Sequence, residues 1–128
     1  MRRALSLAAL IALLISSAAT RPKPADLRVV EAAAHRRSGE IGIDGKVRNT
    51  GTKPIRGLVL LFDFMAPGRQ VVTTQKAPVD EEILEPGQEA VFRVALNSPP
   101  RAVEFQIGAI DANERELRVD NPGPFVIE

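Results

Sequence analysis

The sequence predicts an all-β fold, an immunoglobulin-like antiparallel β-sandwich of about seven strands. Three observations predict it. Apolar and polar residues alternate with a period of two, as at Ile41, Ile43, Gly45 and Val47 against Gly42, Asp44, Lys46 and Arg48, which is the pattern of a strand with one buried face. Clusters of Gly, Pro, Asn and Asp interrupt that alternation roughly every ten residues, the turn spacing of a sandwich. Helical periodicity is weak throughout.

The elements follow in order. Residues 27–32 form a first strand. The alanines of 25–34 favour a helix, but Leu27, Val29 and Val30 have no partners downstream at helical spacing. A turn is expected over 35–39 and a half-buried strand over 41–48. Residues 49–54 read as a loop, because Asn and Gly tolerate positive φ and Pro54 cannot donate to a ladder. Residues 58–65 form a strand that is apolar on both faces, 66–69 turn the chain back, and 70–76 form a β-rich strand. Asp80-Glu81-Glu82 is an acidic loop. Leu84-Glu85-Pro86-Gly87 is a turn with Pro at its first corner and Gly at the next. Residues 90–96 and 103–109 alternate as strands. Asp111-Ala112-Asn113 is a hairpin turn leading to a last strand over 115–119. Beyond Pro122-Gly123-Pro124 lies a short apolar tail, Phe125-Val126-Ile127.

The amino terminus is of a different kind. Arg2 and Arg3 precede an apolar run from Leu5 to Ile15, and Ser17-Ala18-Ala19 supplies the small residues of a cleavage site, so residues 1–19 read as a signal peptide cut after Ala19. The charge-free stretch from Ala4 to Thr20 is short against the ~20 residues of a membrane span, so no insertion is expected after cleavage. An uncleaved anchor is the alternative, and both place the rest of the chain outside the cytoplasm, periplasmic or extracellular. Residues 20–25 form a proline-rich linker, and 26–128 a single domain.

Composition narrows the function. Apolar residues make up 45% and charged residues 26% of the 128 residues, as in a globular domain. Removing residues 1–19 takes Arg2 and Arg3 from the 17 basic residues and leaves the 16 acidic ones, a formal net charge of −1. That balance argues against a nucleic-acid partner. With no cysteine there is no disulfide, thiolate metal site or thiol nucleophile. With no Trp or Tyr there is no aromatic sugar platform.

Gly45-Lys46-Val47-Arg48-Asn49, with Gly51, resembles the G-x-V-x-N opening of FxLYD-type domains. Val59-Leu60-Leu61-Phe62-Asp63 falls where that family carries its naming motif: Leu61 and Asp63 match, Phe62 stands for the tyrosine, and Val59 for the leading phenylalanine. Gly68 fits the following turn. Leu84-Glu85-Pro86-Gly87 and Phe92-Arg93-Val94 fit a later L-x-P-G … F-x-V block. The resemblance spans about residues 26–110 and implies an immunoglobulin-like sandwich on exported bacterial proteins. It implies no biochemical role, since the family's role is generally unassigned.

The candidates for chemistry are few. Asp63, inside an apolar strand, is expected to cap the turn after it by accepting backbone amides. Asn49 is expected to be a loop residue chosen for backbone tolerance. His35, the single histidine, has neither nucleophile nor co-ligands in sight and reads as part of a solvated turn. Asp111-x-Asn113 imitates the start of a calcium loop, but Glu116 stands where its glycine belongs and Pro122 where its bidentate glutamate belongs. Neither catalytic residues nor a metal site nor a cofactor is expected.

The strand over 58–65 is the exception to the bland pattern. Leu60, Phe62 and Phe64 point one way, and Val59, Leu61 and Met65 the other, where a half-solvated strand would carry polar residues. Either the proline-rich arm or the 125–127 tail covers that outer face, or it meets another protein chain. The expected function is therefore an exported, non-catalytic interaction or scaffold module of the cell envelope, bound to an envelope protein or to itself. Its contact surface is the outer face of that strand and its sheet neighbours. The alternative is an accessory subunit that holds a small ligand or ion in its loops.

Overall fold

The computed structural model describes residues 24–128; the expected signal peptide and most of the linker lie outside the described residues. Among the described residues there are ten strands and no helix. They are β1 (Leu27–Arg37), β2 (Glu40–Asn49), β3 (Ile55–Arg56), β4 (Val59–Ala66), β5 (Gln70–Pro78), β6 (Ile83–Leu84), β7 (Glu89–Asn97), β8 (Glu104–Ile110), β9 (Val119–Asp120) and β10 (Phe125–Val126). The first sheet has the order β7-β2-β1-β9 and the second β10-β8-β4-β5; β3 and β6 form a separate two-stranded ladder. The first, second and fifth long strands thus share one sheet and the third, fourth and sixth the other, an immunoglobulin-like distribution in which the fourth strand lies beside the third.

The period-two pattern sets which side chains face inward. Ile41, Ile43 and Val47 of β2, Ala90 and Phe92 of β7, Leu60, Phe62 and Phe64 of β4, and Phe105, Ile107 and Ala109 of β8 belong to one buried cluster between the sheets. All five phenylalanines of the chain join it or pack on it. Phe62 lies 6.2 Å from both Phe92 and Phe105, Phe64 lies 6.3 Å from Phe105, and Phe125 5.4 Å from Phe105. Each fully buried ring contributes about 1.5–3 kcal/mol relative to exposure.

Four expectations need correction. The strand count is ten, because three pairs of residues and a two-residue tail strand were too short to show a period. The turn after β1 is two residues, Ser38 and Gly39, both at positive φ, a tight hairpin geometry; His35 and Arg36 are still in β1, paired with Gly42 and Ile41. The sandwich is not wholly antiparallel, since β9 pairs with β1 in parallel. And residues 115–119 are mostly irregular. Asp111, whose carboxylate binds the following loop, and Glu114, at φ 60°, redirect the chain there, leaving one bridge between Ile110 and Glu116.

The two sides of the sandwich are built differently. On one, the carboxyl-terminal segment joins the sheets. Leu27 N donates to Arg118 O (3.1 Å), Asn121 Nδ2 to Val29 O (2.8 Å), Ile107 N to Pro122 O (2.9 Å), Ile127 N to Val103 O (2.9 Å) and Glu128 N to Ala34 O (3.0 Å). Arg36 adds its guanidinium to the carbonyl of Ala102. On the other side, β7 and β5 are the last strands of their sheets, tied to each other by Gln75 Nε2 donating to Asn97 O at 3.2 Å.

Candidate functional site

On the outer face of β4 only part of the apolar patch expected from the sequence reaches solvent. Val59 and Leu61 are half-buried, and Met65 is 2% exposed. The correction at Met65 has a local cause. The pairing of β4 with β5 skips Val72, so that Phe64 faces Thr73 and Met65 faces Val71. At the same end the carbonyl of Met65 accepts from Val103 N at 2.8 Å. The strand end is therefore enclosed on both faces. Leu61 leans over Gly108 of β8, where an added Cβ would lie 3.7 Å from Leu61 Cβ. The 125–127 tail does not lie across this face; it extends the sheet beside β8 through Phe125 and Val126.

Asp63 sits in the middle of this face, opposite Thr74 on one side and Gln106 on the other. Its Oδ1 accepts from Thr74 Oγ1 at 2.6 Å. This is a cross-strand bond, not the expected cap of the following turn. The turn is instead closed by Arg69 N donating to Ala66 O at 3.0 Å, with Gly68 and Arg69 at positive φ.

The remaining motif residues gather at the opposite end of the first sheet, and their roles are structural. Asn49 is 1% exposed, a buried polar residue at the end of β2. Its Nδ2 donates to Leu84 O (2.8 Å) and Lys53 O (2.9 Å), and its Oδ1 accepts from Gly51 N (3.0 Å). Backbone tolerance is not what this position needs, because its φ is not positive; its three side-chain bonds are. Its carbonyl also accepts from Gly87 N at 2.8 Å. Pro86 and Gly87 form the corner between β6 and β7, with Gly87 at φ 83° and Gln88 N donating to Glu85 O at 2.9 Å. Val47 is fully buried. Gly45 lies opposite Phe92, and a Cβ there would meet Phe92 Cζ at 2.3 Å and Glu31 O at 2.5 Å. The glycine thus admits both the Phe92 ring and the irregularity of β1 between Val29 and Glu31.

The loops carry no ion chemistry of note. Asp111 Oδ1 accepts from Asn113 N (2.9 Å) and Arg115 N (3.0 Å), and Oδ2 from Arg115 Nε (3.4 Å). Chiefly the Arg115 amide holds this carboxyl below its ordinary value, helped by the Asn113 amide and the Arg115 guanidinium and opposed by partial loss of solvent. The calcium-like stretch is thus a loop bound to its own acid. Among the described residues no cluster of His, Asp and Glu is arranged to hold a metal ion, and no helix is long and apolar enough to cross a membrane.

The feature that the sequence pattern did not reveal is the β5 edge. β5 is nine residues long and ends its sheet. Its Gln70–Gln75 run, Gln-Val-Val-Thr-Thr-Gln, has no charge. Val71 and Val72 are 53% and 40% exposed. A groove of about 510 Å³ runs between this edge and the β7–β8 loop, lined by Val72, Thr73, Gln75, Pro99, Pro100 and Arg101. The β7 edge differs: Glu89 and Arg93 stand on it, paired with Lys46 at 3.9 Å and Asp44 at 2.7 Å. Charged residues on an edge strand discourage pairing with other chains, and an uncharged β-branched edge invites it. The signal was present in the run of Val and Thr, but only the sheet order shows that the strand is terminal.

No family model and no curated protein matches the chain. Among solved structures it is similar to IrmA of Escherichia coli, at 10% identity and a TM-score of 0.50, over 80% of this chain and 95% of that one. It is also similar to part of a Bacteroides uniformis β-glucuronidase, at 14% identity and a TM-score of 0.43 over 71% of this chain. A third likeness is to part of the exo-β-N-acetylglucosaminidase of Vibrio harveyi, at 15% identity and 0.43 over 80% of this chain. The chain spans 12% and 18% of the lengths of those two enzymes, and both likenesses are too loose to carry an argument. At these identities the comparisons bear on fold alone, and the likeness to IrmA agrees with the all-β layout seen here.

Proposed function

We propose that this chain is an exported, non-catalytic β-sandwich that binds another protein chain in the cell envelope, and that the docking element is the open edge of β5. The observation that carries the proposal is the asymmetry of the sandwich. One side is laced shut by residues 118–128, while the other ends in a nine-residue strand whose Gln70–Gln75 run carries no charge and exposes two valines, its single charge being Lys76 near the far end. An added extended strand would satisfy the outward amides and carbonyls of β5 and cover Val71 and Val72, the strand-addition mode of protein recognition. The signal-like amino terminus and the resemblance to FxLYD-type domains support the compartment. The lack of a recognisable nucleophile–base pair in the sequence supports a non-catalytic role. No cofactor is part of this reading.

A photo-crosslinking amino acid at Thr74, compared with one at Val91 on the outer face of the first sheet, tests it in cells expressing the full chain. Discrete protein adducts from position 74 alone are expected. Adducts from Val91 alone, or from neither position, would overturn the assignment of the docking edge.

A further inference from the structure

We propose that the occupant of the β5 edge is a second copy of this chain, paired antiparallel across a two-fold axis centred on Gln75. This rests on the reading of β5 as the docking edge and names its partner.

Three features point to this register. First, the skip at Val72 leaves Thr73–Pro78 as the regular part of the ladder with β4; Pro78 has no amide to donate to a further strand, which leaves Thr73–Ala77 as the stretch able to pair fully, with Gln75 at its midpoint. In an antiparallel pair a two-fold axis passes between a residue and its own copy, so Gln75 meets Gln75, Thr74 meets Lys76, and Thr73 meets Ala77. Second, no like charges face each other in this arrangement, because Arg69 and Lys76 are the only charged residues between 66 and 79, and Arg69 falls beyond the ladder opposite Glu81 of the other copy. Third, the outer face gains a complementary charge. Thr74 already donates to Asp63 at 2.6 Å, and Lys76 of the second copy enters the same row on the other side of Thr74. Two strand spacings, about 9–10 Å, separate Lys76 from Asp63, a gap that the long lysine stem spans in large part. Among the described residues neither Asp63 nor Lys76 has an ion-pair partner within its own chain. The two-fold supplies that pair twice and extends the β10-β8-β4-β5 sheet into a continuous eight-stranded one.

Sedimentation of the full chain, with circular dichroism to confirm folding of each variant, tests the proposal. The unaltered chain is expected to sediment as a dimer. Lys76→Glu places a carboxylate near Asp63 of the facing copy, once on each side of the axis, and is expected to weaken the dimer about tenfold; adding Asp63→Lys is expected to restore it. The chain has no cysteine, so Gln75→Cys introduces a single thiol, which is expected to form an interchain disulfide on oxidation, since residues at the axis lie within disulfide reach. Val91→Cys is expected to form none. A monomer at every concentration, or a dimer that ignores Lys76→Glu and does not crosslink through Gln75→Cys, would overturn the second copy as occupant. In that case crosslinks from Thr74 to a different protein would leave the docking edge standing, and their absence would remove both.

Discussion

Replacing Asn49 by Ala should destabilise the domain more than removing an exposed cross-strand bond such as that between Thr74 and Asp63. The Asn49 side chain makes three bonds, to Leu84 O, Lys53 O and Gly51 N. The bond to Leu84 O is buried, and a buried group left without a partner costs about 1–3 kcal/mol. Water reaches the other two more readily, which lowers their cost to about 0.5–1 kcal/mol each. The expected loss is therefore about 2–5 kcal/mol, against a total stability of about 5–15 kcal/mol for a domain of this size. Urea unfolding should show a lower midpoint with an unchanged slope. Asn49→Asp adds a sharper contrast. It keeps an acceptor for Gly51 N but turns a carboxylate toward two carbonyls, so it should be at least as damaging near neutral pH and should recover partly in acid, where the protonated carboxyl donates once. A loss under about 0.5 kcal/mol for Asn49→Ala, the size of an ordinary surface change, would refute the reasoning.

Other perturbations separate close packing from open space. Gly45→Ala should cost about 1–3 kcal/mol or more, and adding Phe92→Leu should recover only part of it, because the Glu31 carbonyl remains 2.5 Å from the new Cβ; Gly108→Ala, whose Cβ makes an ordinary 3.7 Å contact with Leu61, should stay within about 0.5 kcal/mol of the parent by thermal unfolding. Phe125→Ala removes the half-buried ring that packs on Phe105 at 5.4 Å and should cost about 1–2 kcal/mol, less than the full burial of such a ring, read as a lower urea midpoint. Asp111 is held below its ordinary value in the folded chain, so its contribution is present above the unfolded carboxyl value and is lost as pH falls through the lower native one. Asp111→Asn should flatten the fall in melting temperature on acidification below the ordinary carboxylate range, and an unchanged slope would show that the loop bonds do not bind the carboxylate preferentially.

Strands β2, β7 and β8 were legible because each places alternate side chains in one core, an alternation that survives even where glycine replaces a side chain, as at Gly45; β4 was legible by its apolar run and β5 by its Val and Thr content. The Pro86-Gly87 corner was legible for the same local reason, since its backbone demands are met by adjacent residues. Three features were not. The partners of Asn49 include Leu84, thirty-five positions away, so its burial has no local signature. The enclosure of Met65 comes from one skipped residue on the neighbouring strand and from the chain near Val103. The path of residues 115–128 depends on sharing hydrogen bonds between two sheets, which no period in the segment records. For the candidate site, the apolar strand β4 points to the sheet that carries the proposed docking edge, but the exposed valines lie one strand over, on β5.

If β5 is the docking edge, its outward amides are covered when the protein assembles. Hydrogen–deuterium exchange of the full chain, compared at dissociating and associating concentrations, measures this residue by residue. Slower exchange confined to amides between Thr73 and Ala77, with β7 unchanged, is the predicted result. Slower exchange on β7 or on the outer face of the first sheet, with β5 exchanging as before, would contradict it.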